Sequence, residues 1–486
     1  MPHPPHVPPT RPPHVSAYRT GRMIALTGAL VGVIYGYDTG SVSGALVFLS
    51  KDFQLSSAEQ GLVNSVLVVG SVLGAVLGGR VADALGRRKT MVMVAASYAV
   101  FVALSAFAPN VTVLDTMRFL LGVAIGLCIV AAPLYIAEST PARIRGAATA
   151  TYQVACVAGI TITYFVNWGL ADGGHWRWML GLSAVPAALI VIPLLLLPDT
   201  PRWYVLKGRD EEAVRVLRLV DPDVDAEAET RAIAAQIRQE RGGHGGLAAM
   251  FRPPYTRATL FVLALGFFCQ ITGINAVTYY SPEIFQKMGF TGSGQSFLLP
   301  SIVELASLAA TVLALFIIDR FGRRVVLFSG IGTMLGSLVV LTAVFGLTSL
   351  RGAATWIGFA ALLLFTAAFN FGFGSLIWVY ASEAFPSRLR SMGASAMLTA
   401  DLVANFLIAQ FFPSVIDRAG PTWTFAGFAV LALLAIVFVA RMAPETKGRR
   451  LEEIQSYWQN GGRWVSAPRP TAAPAAAVGA ARRGDG

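Results

Sequence analysis

The sequence predicts an all-α membrane protein, with twelve transmembrane helices in two pseudo-symmetric six-helix bundles and short helices outside the bilayer. Three observations predict it. Of 486 residues, 55% are hydrophobic and only 13% are charged, where a soluble chain carries about 25% charged residues. Apolar stretches of about twenty residues recur along the whole length, enough to cross a hydrocarbon core of about 30 Å as helix. These stretches fall six and six around one long polar segment.

In order, the apolar spans are 23–47, 59–79, 90–108, 114–137, 147–169 and 177–197, then 257–281, 297–318, 324–346, 355–381, 394–416 and 422–441. Backbone amides in lipid must be satisfied within their own segment, so each span reads as a helix. The first bundle is therefore 23–197 and the second 257–441. Residues 198–256 form a linker; "GRDEEAVRVLRLV" and "ETRAIAAQIRQE" within it have helical spacing and many charges, which predicts short amphipathic cytosolic helices. The flanks, 1–22 and 442–486, read as cytosolic tails. "MPHPPHVPPTRPPHV" is proline-rich, and "APRPTAAPAAAVGAARRGDG" is low in complexity, so both are expected to be disordered.

The net charge of +11 does not indicate nucleic acid, because the basic residues sit in short connections between spans. Arg80, Arg87, Arg88 and Lys89 follow the second span, Arg143 and Arg145 the fourth, Arg320, Arg323 and Arg324 the eighth, and Arg388 and Arg390 the tenth. By the positive-inside rule those loops, and both termini, are cytosolic. Cys128, Cys156 and Cys269 lie inside apolar spans without paired spacing, and no histidine cluster accompanies them. Neither a disulfide framework, a metal site nor a cofactor is called for. No nucleophile–base arrangement is present either, so the chain does not read as an enzyme.

The halves repeat. "DALGRR" at 83–88 returns as "DRFGRR" at 319–324, and "ESTPARIRG" at 138–146 returns as "EAFPSRLRSMG" at 383–393. Each pair occupies the corresponding loop of its half, which marks an internally duplicated transporter with its substrate at the midplane. Asp83 and Asp319 are placed to accept from a helix end or an arginine; Arg87 and Arg323 follow a turn glycine. Glu138 with Arg145, and Glu383 with Arg390, are expected to pair at the cytosolic face and to break as it opens.

Several of these stretches resemble a known family. "GRVADALGRR" is similar to the loop motif of the major facilitator superfamily. "PLYIAESTPARIRG", "PDTPRWYVLKGR", "QITGINAVTYYSPEIF", "DRFGRR" and "PETKG" together resemble its sugar porter branch, over about residues 20–460. The resemblance implies the major facilitator fold, alternating access, and a sugar or polyol as substrate. It also implies a monomer working in a cell membrane. Gln153, Gln270, Asn275, Tyr279, Trp378 and Asn405 match sugar-site positions, and Tyr280 matches a gating aromatic. The chemistry agrees: amides both donate and accept, as hydroxyls do, and an aromatic face suits the C–H face of a sugar. Asn275 and Tyr279 share one helix face, and a break at Gly273 would turn Gln270 toward them.

One residue bears on the energy source. Asp38 stands inside the first apolar span, where a charge costs roughly 3 kcal/mol or more. It matches the acid of proton-coupled xylose symporters, where glucose facilitators carry asparagine, and Arg118 matches the arginine of the fourth helix, its expected partner. A permanent structural ion pair is the alternative reading of the two. The expectation is therefore a proton-coupled importer of a pentose, a hexose or a related polyol such as inositol, with a passive facilitator as the alternative. Some positions depart from the pattern. Cys269 replaces a glutamine, Ser307 an asparagine, and Ser375 and Ile377 replace prolines; Asp401 stands where an amide or small residue is usual, and Glu304 is an acid of no assigned role.

Overall fold

The computed structural model describes residues 17–464 apart from 142, 243–246, 291, 347–351 and 450. The sequences expected to be disordered at 1–16 and 467–486 lie outside the described residues. The first half comprises helices Ala17–Asp52, Ser57–Leu85, Arg87–Ala106, Val111–Glu138, Arg145–Leu170 and Trp176–Leu196. The second comprises Thr256–Lys287, Ser293–Phe321, Arg323–Gly346, a tenth helix from Ala353 to Glu383, and the run Ser387–Met442. Among the described residues, ten helices are long and apolar enough to span a membrane by length and composition. The first helix, with its internal Asp38, and the division of the last run at Gly420 (φ 79°) bring the count to twelve. This is the all-helical membrane architecture that the composition predicts.

Local chemistry sets several of the boundaries. Ser56 and Glu59 form a reciprocal capping box that starts the second helix. Asn110 caps the fourth, accepting from the Val113 amide at 3.0 Å. The tenth helix is interrupted without a proline. It passes through a π-helical turn at Asn370–Gly374, and Ser375 donates to the freed Asn370 carbonyl at 2.7 Å.

Two boundaries differ from expectation. The first helix begins at Ala17, inside the stretch read as tail, because "AYRTGR" is compatible with helix once the prolines end. Helices Pro201–Leu206, Asp210–Val220 and Ala226–Gly242 occupy the linker region. A further helix, Leu451–Gln459, lies in the segment read as C-terminal tail; it buries Ile454, Tyr457 and Trp458 on one face.

The two halves meet at the end opposite the arginine-rich loops. There Ser57 donates to Asp417, Ser65 to Gln410, and Tyr164 to the Thr278 carbonyl. Phe48 stacks on Phe297 at 5.7 Å. The apolar core of the second half continues into Leu46, Leu49, Leu55, Val63 and Trp176, all at that end of the first half. A separate apolar cluster fills the arginine-rich end of the first half. The molecule is therefore closed at one end by both packing and hydrogen bonds.

Candidate functional site

A cavity between the halves brings Asp38, Arg118, Tyr279 and Asn405 together, along with Tyr35 and Asn64. Among the described residues, Asp38 and Arg118 are the charged ones that line it. Both are nearly completely buried, at 1% and 2% exposure. They do not form the direct pair expected from the sequence. Arg118 donates from Nε to the Val63 carbonyl at 2.7 Å, and Asp38 Oδ1 is buried without a hydrogen-bond partner. Arg118 still acts on Asp38 electrostatically. A backbone oxygen of the second helix holds the guanidinium, which leaves the carboxyl to the cavity.

The seventh helix supplies the amides. Gly273 adopts φ 98°, a left-handed conformation that glycine tolerates, and it interrupts the helix between Ile271 and Ile274. The break lets Gln270 reach Asn275, whose Nδ2 donates to Gln270 Oε1 at 2.7 Å. Gln270 Nε2 in turn donates to Asp401 at 2.9 Å. Asn405 donates to the Tyr279 hydroxyl at 3.3 Å. Tyr280 points elsewhere: its hydroxyl donates to the Ala409 carbonyl at 2.7 Å and its ring packs on Phe412. Non-helical torsions at Tyr280, just before Pro282, bend the helix there.

Gln153 is half-buried on the fifth helix and Trp378 is 39% exposed on the tenth; neither lines the cavity around Asp38, and nor do Gln270 and Asn275. Ser307 is buried and spends its hydroxyl on the Val303 carbonyl of its own helix. Glu304 is buried on the eighth helix where its carbonyl accepts from Thr161, and its carboxyl has no partner among the described residues.

At the arginine-rich end the charged motifs are tied within each half. Arg87 pairs with Asp83 at 2.8 Å and with Glu138 at 3.0 Å. Arg202 also approaches Glu138 at 3.7 Å, and Thr200 donates to it at 2.6 Å. The expected Glu138–Arg145 pair is absent among the described residues. Arg145 opens the fifth helix facing solvent, whereas Arg87 stands directly beside the carboxylate. In the second half Arg323 pairs with Asp319 at 2.9 Å. Glu383 and Arg390 likewise do not pair; a buried oxygen of the one and Nε of the other are without hydrogen-bond partners.

Two residues at this end escaped the sequence reading. Asp199 accepts from the Arg87 amide at 2.9 Å, and Glu445 accepts from the Arg323 and Arg324 amides at 3.0 Å each. Each carboxylate caps the N-terminus of a helix that follows a glycine at positive φ, Gly86 at 101° and Gly322 at 96°. The signal was present: "PDT" at 198–200 and "PET" at 444–446 are a third internal repeat, following the sixth and twelfth spans. A Cβ at Gly86 would lie 2.1 Å from Asp199 Oδ2, whereas one at Gly79 meets nothing within 4 Å. Gly86→Ala is therefore expected to displace Asp199 and to carry about 1–2 kcal/mol of backbone strain, slowing transport about tenfold. Gly79→Ala, the control, is expected to transport at nearly the wild-type rate in the same vesicle assay.

Comparison with known proteins agrees with this geometry. A family described as "Sugar (and other) transporter" matches residues 24–458. The arabinose-proton symporter of Bacillus subtilis (strain 168) is 34% identical over 446 residues, covering 90% of this chain and 94% of that protein. The galactose-proton symporter of Escherichia coli (strain K12) is 34% identical over 435 residues, covering 89% and 93%. Among solved structures, the inward open conformation of the xylose transporter XylE from E. coli superposes with a TM-score of 0.77 at 26% identity, covering 90% of this chain and all of that one.

Proposed function

Because the chain belongs to the sugar transporter family of the major facilitator superfamily, we propose that it imports a monosaccharide, a pentose or hexose, or a related polyol, together with a proton. The observation that carries this reading is Asp38, a buried carboxyl with an unpartnered oxygen, sharing one cavity with Arg118, Tyr279 and Asn405. In this reading the protein works as a monomer in the cell membrane with both termini cytosolic, which the loop arginines support.

The chemistry follows from the groups present. A carboxylate inside a bilayer is costly unless a cation balances it or a proton neutralises it. Asp38 takes a proton while the cavity faces outward and releases it while the cavity faces inward, with Arg118 stabilising the charged form. Sugar and proton together favour the rearrangement that exchanges the two openings, because each binds one state better than the other. Gln270 and Asn275 supply hydroxyl partners from the second half, and Gln153 and Trp378 complete the sugar site when the first and second halves close on it. Tyr280 gates the outer end. The ties of Asp83, Arg87 and Glu138, with Asp319, Arg323 and Glu383, hold the inner ends of the helices in register, and Arg145 and Arg390 join them when that face shuts.

The test is uptake of labelled pentoses, hexoses, inositols and amino sugars into vesicles containing the protein. Saturable uptake of at least one neutral sugar or polyol is expected, and uptake of none would end the reading. For the carried sugar, Gln270→Ala or Asn275→Ala is expected to weaken affinity by about 1–3 kcal/mol, since desolvated hydroxyls lose their partners. Unchanged affinity in both variants would remove the amide pair from the site.

A further inference from the structure

Asp401 lies in the eleventh helical segment at 7% exposure, and the site described above gives it no function of its own. Its carboxylate accepts from Gln270 Nε2, and the Cys269 thiol lies beside it. Flanked by two donors, the Asp401 carboxyl acts as an acceptor. Gln270 accordingly turns its NH2 toward Asp401 and its oxygen toward Asn275, and Asn275 donates in turn. The direction set at Asp401 thus runs through two amides and leaves the Asn275 oxygen free of protein partners among the described residues. The same polarity recurs nearby. Asn405 donates its NH2 to Tyr279 while its buried Oδ1 is unpartnered. An amide at position 401 would meet Gln270 either way round, and the chain would lose its direction.

We propose that Asp401 is a positioning residue that polarises the amides of the sugar site, so that the site presents oxygen acceptors and selects its substrate by the hydroxyl hydrogens it donates. This rests on the reading of Gln270 and Asn275 as sugar partners. It distinguishes an acceptor-lined site from one that reads hydroxyls in both senses. Fluorine has the size of a small substituent and lone pairs but no hydrogen to give. At a sugar position facing these oxygens, replacing hydroxyl by fluorine costs at least as much as replacing it by hydrogen, because the fluorine adds repulsion to the lost bond.

The experiment uses the full chain in proteoliposomes. Labelled D-xylose, L-arabinose, D-galactose and D-glucose first identify the sugar carried by the wild type. Its monodeoxy and monodeoxyfluoro derivatives are then compared as competitors, position by position. In the wild type, one or more positions are expected where the fluoro derivative competes no better than the deoxy one. In Asp401→Asn, which keeps shape and packing, Gln270 can turn, and the fluoro derivative is expected to gain about tenfold over its deoxy partner there. Asp401→Glu keeps a carboxyl to accept from Gln270 and is expected to retain the wild-type ratio. The same fluoro-to-deoxy ratio in wild type and Asp401→Asn overturns the proposal, including when both affinities fall together, as a packing role would give. A wild type that carries none of these four sugars, nor any inositol or other polyol, overturns the sugar site itself, and this proposal with it.

Discussion

Asp38→Asn is expected to abolish accumulation of sugar against its gradient while exchange of labelled for unlabelled sugar continues. Asparagine keeps the shape and the hydrogen-bonding capacity of the side chain but has no proton to release. The sugar site is otherwise untouched, since the hydrogen bonds among Gln270, Asn275 and Asp401, and between Asn405 and Tyr279, do not involve Asp38. Arg118→Gln is expected to fail in the same assay for the opposite reason. It removes the cation that lines the cavity beside Asp38, and the carboxyl then holds its proton on both sides of the membrane. Counterflow with no gradient, run beside uphill uptake, separates lost coupling from lost binding. Sustained accumulation by Asp38→Asn would make that carboxyl structural.

Gly61→Ala should trap the transporter with its outer end open. Gly61 packs against the eleventh helix so closely that a Cβ would lie 2.1 Å from the Gln410 carbonyl oxygen, a backbone atom that cannot move aside alone. Gln410 also accepts from Ser65 and donates to the Ala58 carbonyl, so the contact lies at the centre of the closed end. Overpacking costs about 1–3 kcal/mol in the closed state only, which shifts the equilibrium roughly five- to 150-fold toward the open one. Transport is expected to fall by a similar factor, and a cysteine placed at Val68, which lines the cavity, should label faster from outside. Wild-type transport with unchanged labelling would contradict the assigned contact.

Much of this was legible in the sequence because lipid imposes regular lengths and the duplication repeats its motifs. The helix-breaking role of Gly273 could be read from the positions of Gln270, Asn275 and Tyr279 alone. Pairing among charges could not. Glu138 lies seven residues from Arg145 in the chain, yet Arg87 reaches it because the third and fourth helices pack side by side. Asp38 and Arg118 share a cavity without the direct pairing expected of them; the Val63 carbonyl that holds Arg118 is a backbone atom, and no residue pattern announces it. The amphipathic "LEEIQSYWQ" at 451–459 was legible in principle and was masked by the low-complexity sequence that follows it. Asp401 was visible as an anomaly, whereas its hydrogen bond to Gln270 depends on how two distant helices meet.

Proton coupling itself is tested most directly by uphill uptake in proteoliposomes of the wild-type chain with an imposed pH gradient, acid outside, and the carried sugar equal on both sides at the start. One pH unit is worth about 1.4 kcal/mol per proton, so coupling of one proton to one sugar predicts accumulation up to about tenfold, collapsing when a protonophore is added. Sugar that equilibrates across the membrane, and never rises above the outside concentration under that gradient, would contradict the account and leave a passive facilitator in its place.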